Sequence, residues 1–364
     1  MTIKELVYSA QQHLQSVTGA SFKRAHIYEL LAASFGFNSH ASFGVDTVLT
    51  ELQPNSTSIA WQSALIKRRC IELGYQPDIV ILTMSALESF LVERQIGVTS
   101  ISSLINRLRG ESPNQEGDLE YNEAIGPILL NGLDTAASKG NGLAHYALAL
   151  IYATDDEDDV DAGNSYWYSQ SQRGRVLSGV EIEWAEAYEF RLVQAEKYTR
   201  HLKEAAQLGN QDALLDLADQ FDDPSFFEQS CHDVDVDPAE IAAIAERMGR
   251  TTDARRWLIH AAEGGDTDAM LQLIEEHEKG DIPQCWIWVY LAKLVGTDLT
   301  QDTHRAIHED GSDYDDDVGG PLYVAGNDGV NLVPLAPAQD MSARLAAQKL
   351  FEQIERKRGE GAGR

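Results

Sequence analysis

Apolar residues recur at helical spacing through the first hundred positions. Ile3, Leu6, Val7, Leu14 and Val17 mark a helix over residues 3–17. Ile27, Leu30, Leu31 and Phe35 mark a second over residues 22–35, with Ser21 as its cap. Gly36 then supplies a stop and Asn38 or Ser39 a new cap, so a third helix is expected over residues 39–49. Helix, glycine turn and short helix together have the outline of a helix-turn-helix. The helix after the turn carries Asp46 and neither Lys nor Arg, so a plain helical hairpin is the preferred reading. Further helices are expected over residues 59–74, closed by Gly74 and Pro77, and over 79–93 and 100–109.

Beyond residue 120 the pattern repeats. Ala136-Ala-Ser-Lys-Gly140-Asn-Gly-Leu-Ala144, Ala205-Ala-Gln-Leu-Gly209-Asn-Gln-Asp-Ala213 and Ala261-Ala-Glu-Gly-Gly265-Asp-Thr-Asp-Ala269 share the form A-A-x-x-G-[ND]-x-x-A. The alanine pair lets two helices approach closely. Glycine ends the first helix in a left-handed cap, and Asn or Asp caps the next. With Gly174 and Gly296 in the same role, successive glycines lie 34, 35, 56 and 31 residues apart. Steps near 34 are the period of a helix-pair repeat. The long step implies an insertion over residues 222–238.

These segments resemble the Sel1-like subclass of tetratricopeptide repeats. Ala144, Leu148, Ala149, Tyr152, Trp167, Tyr168 and Gly174 carry the fullest match. Ala254, Trp257, Ala261, Ala262 and Gly265 match the second helix of a later unit, and Ala269, Leu273, Trp288, Leu291, Ala292 and Gly296 a shortened terminal one. The likeness covers residues 120–298 and departs from the family in an acidic first loop, in lacking most Gly-rich loops, and in one enlarged unit. It implies a mostly α fold, an α-solenoid of Sel1-like/tetratricopeptide-like helix pairs. Such arrays bind a protein or peptide, and no catalytic residue comes with them.

Four regions are expected: a small N-terminal helical domain (1–110), the repeat array (118–300), an acidic loop with a short C-terminal β-hairpin (301–337), and a capping helix (338–358). The polar turn-rich segment 110–117 marks the first boundary. The hairpin is read from two apolar strands around Gly326-Asn-Asp-Gly329. The capping helix is read from Leu345, Leu350 and Ile354 on one face.

Charge sharpens the division. Residues 1–110 carry a net of +1 and residues 111–364 a net of −30, within a total of −29. So acidic a chain is not expected to hold nucleic acid or an anionic membrane surface. No apolar run is longer than that of residues 285–292, far below the ~20 residues of a membrane span. No secretory signal is visible at the N-terminus, and three scattered cysteines fit a reducing, cytoplasmic setting.

Candidate chemistry is sparse. Calcium-loop spacing fails at Val160 in the first acidic run and at Pro238 and Ile244 in the second, and His304 and His308 lack the glutamate of a zinc-protease helix. No catalytic residue, metal or cofactor is therefore expected. The candidates for partner contact are Trp184, Tyr188, Trp286 and Tyr290, which lie off the motif positions, and the acidic runs Asp155, Asp156, Asp158, Asp159 and Asp315, Asp316, Asp317. Lys67, Arg68 and Arg69 form a basic patch. The function expected is a non-catalytic adaptor that binds a protein, with a basic partner suited to the charge. The alternative is a nucleic-acid-linked regulator with an N-terminal helix-turn-helix-like domain.

Overall fold

A computed structural model describes residues 1–43, 45–52, 62–110, 125–153, 161–229, 234, 236–314 and 321–361. Helix accounts for 66% of them, with only small two-stranded sheets. The chain divides into two compact units, Met1–Leu217 and Ala218–Arg364. No helix among the described residues is long and apolar enough to cross a membrane.

The first unit opens with α1 (Ile3–Thr18), started by a reciprocal capping box between Thr2 and Glu5. Leu6, Val7, Ala10 and Leu14 of α1 are buried against α2 (Arg24–Ser34), α3 (Ser63–Glu72) and α4 (Pro77–Glu93). The cap of α2 is Lys23, which makes no side-chain cap bond, rather than Ser21; the helix begins two residues later than its apolar pattern indicates.

The helix expected over residues 39–49 does not form. In its place β1 (Thr47–Glu51) pairs antiparallel with β2 (Ile96–Ser100), placing Val48 opposite Thr99. Thr47, Val48 and Thr50 are β-branched and favour the strand once Val98 and Thr99 supply the other half of the ladder. That partner lies some fifty residues away, beyond the reach of local periodicity. The helix-turn-helix outline is corrected accordingly.

The boundary segment 110–117 falls mostly outside the described residues, but the elements on either side of it share this unit. Ile128 of α6 (Pro127–Ala137) belongs to the same apolar core as α1–α4. Ile3 N–H donates to Asn131 Oδ1 at 3.2 Å. Gly132 faces β1 so closely that a Cβ there would lie 3.3 Å from that of Val48. Helix α5 (Ile101–Leu108) packs on α7 (Gly142–Tyr152).

A polar interior network ties this unit further. Arg109, just past α5, donates through Nη2 and Nε to Tyr146 Oη (2.6 and 3.2 Å) and pairs with Asp212 at 3.3 Å. Tyr146 Oη in turn donates to Asp216 Oδ2 at 2.8 Å. Asp212 and Asp216 sit on α10 (Gln211–Phe221), which follows α8 (Asp161–Gln172) and α9 (Val180–Gln207). Burial raises the Tyr146 hydroxyl's pKa, so it remains a protonated donor throughout the physiological range.

In the second unit, α11 (Ser225–Glu228) buries Phe226 and Phe227, and the Phe226 ring stacks 6.1 Å from Trp257. Then come α12 (Pro238–Arg247), α13 (Thr251–Gly264), α14 (Thr267–Gln272), a π-helical turn at Leu273–His277, and α15 (Ile282–Val295). The motif-position rings of Trp257 and Trp288 are buried.

The repeated sequence element has a repeated geometry. In each copy the residue after glycine returns its N–H to the first alanine's carbonyl: Asn141 to Ala136 (3.3 Å), Asn210 to Ala205 (3.1 Å) and Asp266 to Ala261 (3.1 Å). Glycine itself donates to the second alanine's carbonyl, at 2.8, 2.9 and 3.0 Å respectively. This is a Schellman ending, and it requires the left-handed backbone that Gly140, Gly209 and Gly265 adopt (φ 84°, 85° and 100°). The Asn or Asp side chain then accepts the N–H of the motif's last alanine, Ala144, Ala213 or Ala269, at 3.1, 2.8 and 3.1 Å. All nine alanines are buried.

The C-terminal hairpin is also corrected. Strand β4 (Tyr323–Ala325) pairs with β3 (Arg305–Ile307), Ala306 opposite Val324, rather than with the apolar residues after Gly329. The segment meant for the second strand instead folds back on the chain before β3. Val330 N–H donates to Leu299 O and Gly329 N–H to Asp302 Oδ1, both at 2.8 Å. A Cβ at Gly326 would lie 2.3 Å from Thr303 O, so this crossing admits only glycine. Helix α16 (Pro337–Gly361) packs along α15. Its inward face is Ala343, Ala347 and Ile354, with Leu350 at the edge, whereas Leu345 is 58% exposed. The small alanines let α16 approach α15 closely, which turns the helix about its axis relative to the Leu345-based face.

Candidate partner-binding face

Helices α8 and α9 form a hairpin whose turn the sequence secures. Gly174 (φ 85°) ends α8 with the same Schellman pair, Gly174 to Ser171 O (2.9 Å) and Arg175 to Gln170 O (3.1 Å). The Arg175 guanidinium lies 4.7 Å over the Trp167 ring and pairs with Glu181 at 3.3 Å. Glu181 also accepts the Ser178 N–H at 3.1 Å. The turn is thus held by one arginine gripping both helices.

Helix α9 has 28 residues, roughly 42 Å at 1.5 Å per residue. Its second half is anchored. Leu202, Ala205 and Ala206 are buried, and His201 packs against α7 at 6% exposure. The His201 Nδ1 lies 3.0 Å from His145 Nδ1, and its Nε2 lies 3.1 Å from Arg200 Nη2. Arginine only donates, so His201 Nε2 accepts and its proton resides on Nδ1. Burial first, then Arg200, His145 and Lys197, lower the His201 pKa to about 4.

The first half of α9 is different. Between Val180 and Arg200 only Ala185 is buried. Ile182, Trp184, Phe190, Leu192 and Val193 are 40%, 42%, 62%, 43% and 43% exposed. The 3.6-residue period places Ile182, Glu186, Phe190 and Val193 along the side opposite Tyr188. Glu183, Glu189 and Glu196 flank that stripe, and neither they nor Glu186 is ion-paired to a described residue.

The expected contact residues divide sharply. Trp184 is well exposed and Tyr188 half-buried, its ring 5.3 Å from that of Tyr168 on α8. Trp286 and Tyr290 on α15 are engaged within their own unit. The Trp286 indole donates to Val333 O at 2.9 Å. The Tyr290 hydroxyl donates to Asp340 and accepts from Arg344 Nη2 at 3.0 Å, while the Arg344 guanidinium lies 4.1 Å over its ring. The Arg344 hydrogen bond holds the Asp340 carboxyl below its usual range. These two aromatics fasten α16 to α15.

In the basic run Lys67 is exposed, whereas Arg68 bonds Asn38 Oδ1 (2.8 Å) and Glu72 (3.5 Å), and Arg69 pairs with Glu72 (3.1 Å) and Glu29 (3.9 Å). Asp155, Asp156, Asp158, Asp159, Asp315, Asp316 and Asp317 lie outside the described residues.

Sequence reading missed Ile182, Phe190 and Val193. The signal that would have found them is a helical apolar stripe in a segment already supplied with a second apolar side at Trp184 and Tyr188. Other sites offer less. The partly open apolar pocket lined by Ile3, Leu31, Val48 and Gly132 has a volume of about 50 Å³, room for a few waters. Burial raises the Cys70 thiol to about 11, away from nucleophilic use. Glu246, Glu276 and His277 place ligand-type atoms within 4.8 Å of one another. Gln272 Nε2 (2.8 and 2.9 Å) and His277 Nε2 (3.2 Å) already satisfy the Glu246 carboxylate.

No protein-family model, curated protein or solved structure matches this chain.

Proposed function

We propose that this protein is a non-catalytic cytoplasmic adaptor, a scaffold of Sel1-like, tetratricopeptide-like helix pairs that binds a protein partner through the α8–α9 hairpin. One observation carries the reading: the first half of α9 buries Ala185 alone while six large apolar side chains on it stay 40% or more exposed. Ile182, Phe190 and Val193 fall along one side of the helix around Glu186, and exposed apolar side chains gathered on one face mark interaction sites on folded proteins. The thrice-repeated Schellman-and-cap geometry supports the repeat assignment, since it is the local device that turns one helix of a pair into the next. The solenoid arrangement belongs to the same proposal.

The test is affinity capture of the tagged full-length protein from its native lysate at low and high salt, beside Phe190→Ser/Val193→Ser. Both side chains are exposed, so the variant keeps its circular dichroism spectrum and melting temperature. A protein held by the wild type and lost by the variant establishes the hairpin as the docking element. Identical captures from both remove it.

A further inference from the structure

We infer that the occupant of the outer face of α9 is a basic amphipathic helix of the partner, three to four turns long; this rests on the adaptor reading and names its ligand class. Three observations lead there. The first is shape. The face is one side of a helix whose backbone donors and acceptors are bonded internally, so it offers no ladder to an added strand. It presents a ridge, and the complement of a helical ridge is the groove between ridges of another helix.

The second is spacing. Ile182, Glu186, Phe190 and Val193 follow one another at intervals of 4, 4 and 3 residues. Ile182 to Val193 spans roughly 16 Å along the axis, about three turns. A partner helix with apolar residues at i, i+4, i+7 and i+11 matches that length and period.

The third is charge. Glu183, Glu186, Glu189 and Glu196 border or interrupt the apolar stripe. Two copies of this face would bring like charges together, which argues against self-pairing through α9. Lys and Arg flanking the partner's apolar stripe complete the arrangement, as e and g charges do beside a coiled-coil seam.

The probe is a fluorescein-labelled 18-residue peptide with Leu at i, i+4, i+7 and i+11 and Lys and Arg on the flanks. Its anisotropy is followed with the full-length protein. Two controls accompany it: a scramble of the same composition, and a version with Glu for every basic residue. The patterned basic peptide should bind at least tenfold tighter than either. Phe190→Ser/Val193→Ser should weaken it at least tenfold, and Glu186→Lys/Glu189→Lys should shift preference to the Glu version. Equal binding of the scramble, or indifference to both double variants, overturns the inference. So does a wild-type dimer in sedimentation that Phe190→Ser/Val193→Ser dissolves, because a second copy then holds the face. If the peptide fails while the lysate partner still depends on Phe190 and Val193, the docking face stands and its helical ligand class falls. Failure of both removes both.

Discussion

Helices α9 and α16 are the two longest among the described residues, 28 and 25 residues, and they meet opposite fates. Each sits in its own unit, and each mixes scattered apolar residues with many charges. Helix α16 lies along α15 and buries Ala343, Ala347 and Ile354, while Tyr290, Asp340 and Arg344 clamp it near its start. Helix α9 rests on α8 along one side of its first half, through Ala185, Tyr188 and the Arg175–Glu181 pair, and the other side of that half projects apolar side chains outward. Trp286 and Trp184 look equivalent as exposed-aromatic candidates in sequence, yet one indole holds a neighbouring segment and the other faces solvent. An aromatic residue on a helix therefore becomes an interior fastener or a contact candidate according to what the rest of its unit lays over it.

The strongest way to break that contrast is to place a charge on each helix. Ala347 is fully buried, so Ala347→Glu combines overpacking with a buried carboxylate and should cost about 3–5 kcal/mol. Hydrogen exchange along α16 should collapse toward the unprotected rate. Val193→Glu on the exposed side of α9 should stay within about 0.5 kcal/mol by urea unfolding. Comparable losses at the two positions would mean that α9 is not an open helix.

The anchored half of α9 gives a smaller, pH-dependent effect. His201 has a folded-state pKa of about 4, below its ordinary 6.5, so the unfolded chain binds the proton more readily. The neutral imidazole's stabilising contribution is complete above about pH 6.5 and is lost as pH falls from there toward 4. The first unit should weaken over that window by roughly 1–3 kcal/mol, and His201→Gln should flatten the dependence. An unchanged pH profile in His201→Gln would place the titration elsewhere.

The smallest effect compares the two indoles directly. Trp286→Phe removes the hydrogen bond to Val333 O and should cost about 1 kcal/mol, with faster exchange over residues 330–336. Trp184→Phe should leave stability unchanged within about 0.5 kcal/mol while reducing the fraction of tryptophan emission that acrylamide quenches readily. Equal stability losses would erase the distinction drawn between the two aromatics.

What could be read from sequence was local. The glycine of A-A-x-x-G-[ND]-x-x-A has to be left-handed, the following Asn or Asp has to cap, and the alanines have to be small. Every one of those requirements acts within nine residues, so periodicity and residue type were enough to place the helix ends at Gly140, Gly209 and Gly265. Burial of Trp257 and Trp288 followed from the same spacing. Elsewhere the deciding partner was remote. Residues 47–51 became a strand because residues 96–100 pair with them, and residues 323–325 chose residues 305–307 over the nearer apolar run. Leu345 faces outward because Ala343 and Ala347 permit the closer approach to α15.

The candidate site lay across the same divide. Trp184 and Tyr188 were legible as aromatics outside the repeat positions, but Ile182, Phe190 and Val193 gain their meaning only from the side of α9 that no described element covers. The sequence by itself determined where helices end and which small residues line their turns, because capping and steric demands are settled among neighbours in the chain. Only the tertiary structure decided which helix faces are covered, because burial depends on segments far away in sequence and on the space they leave.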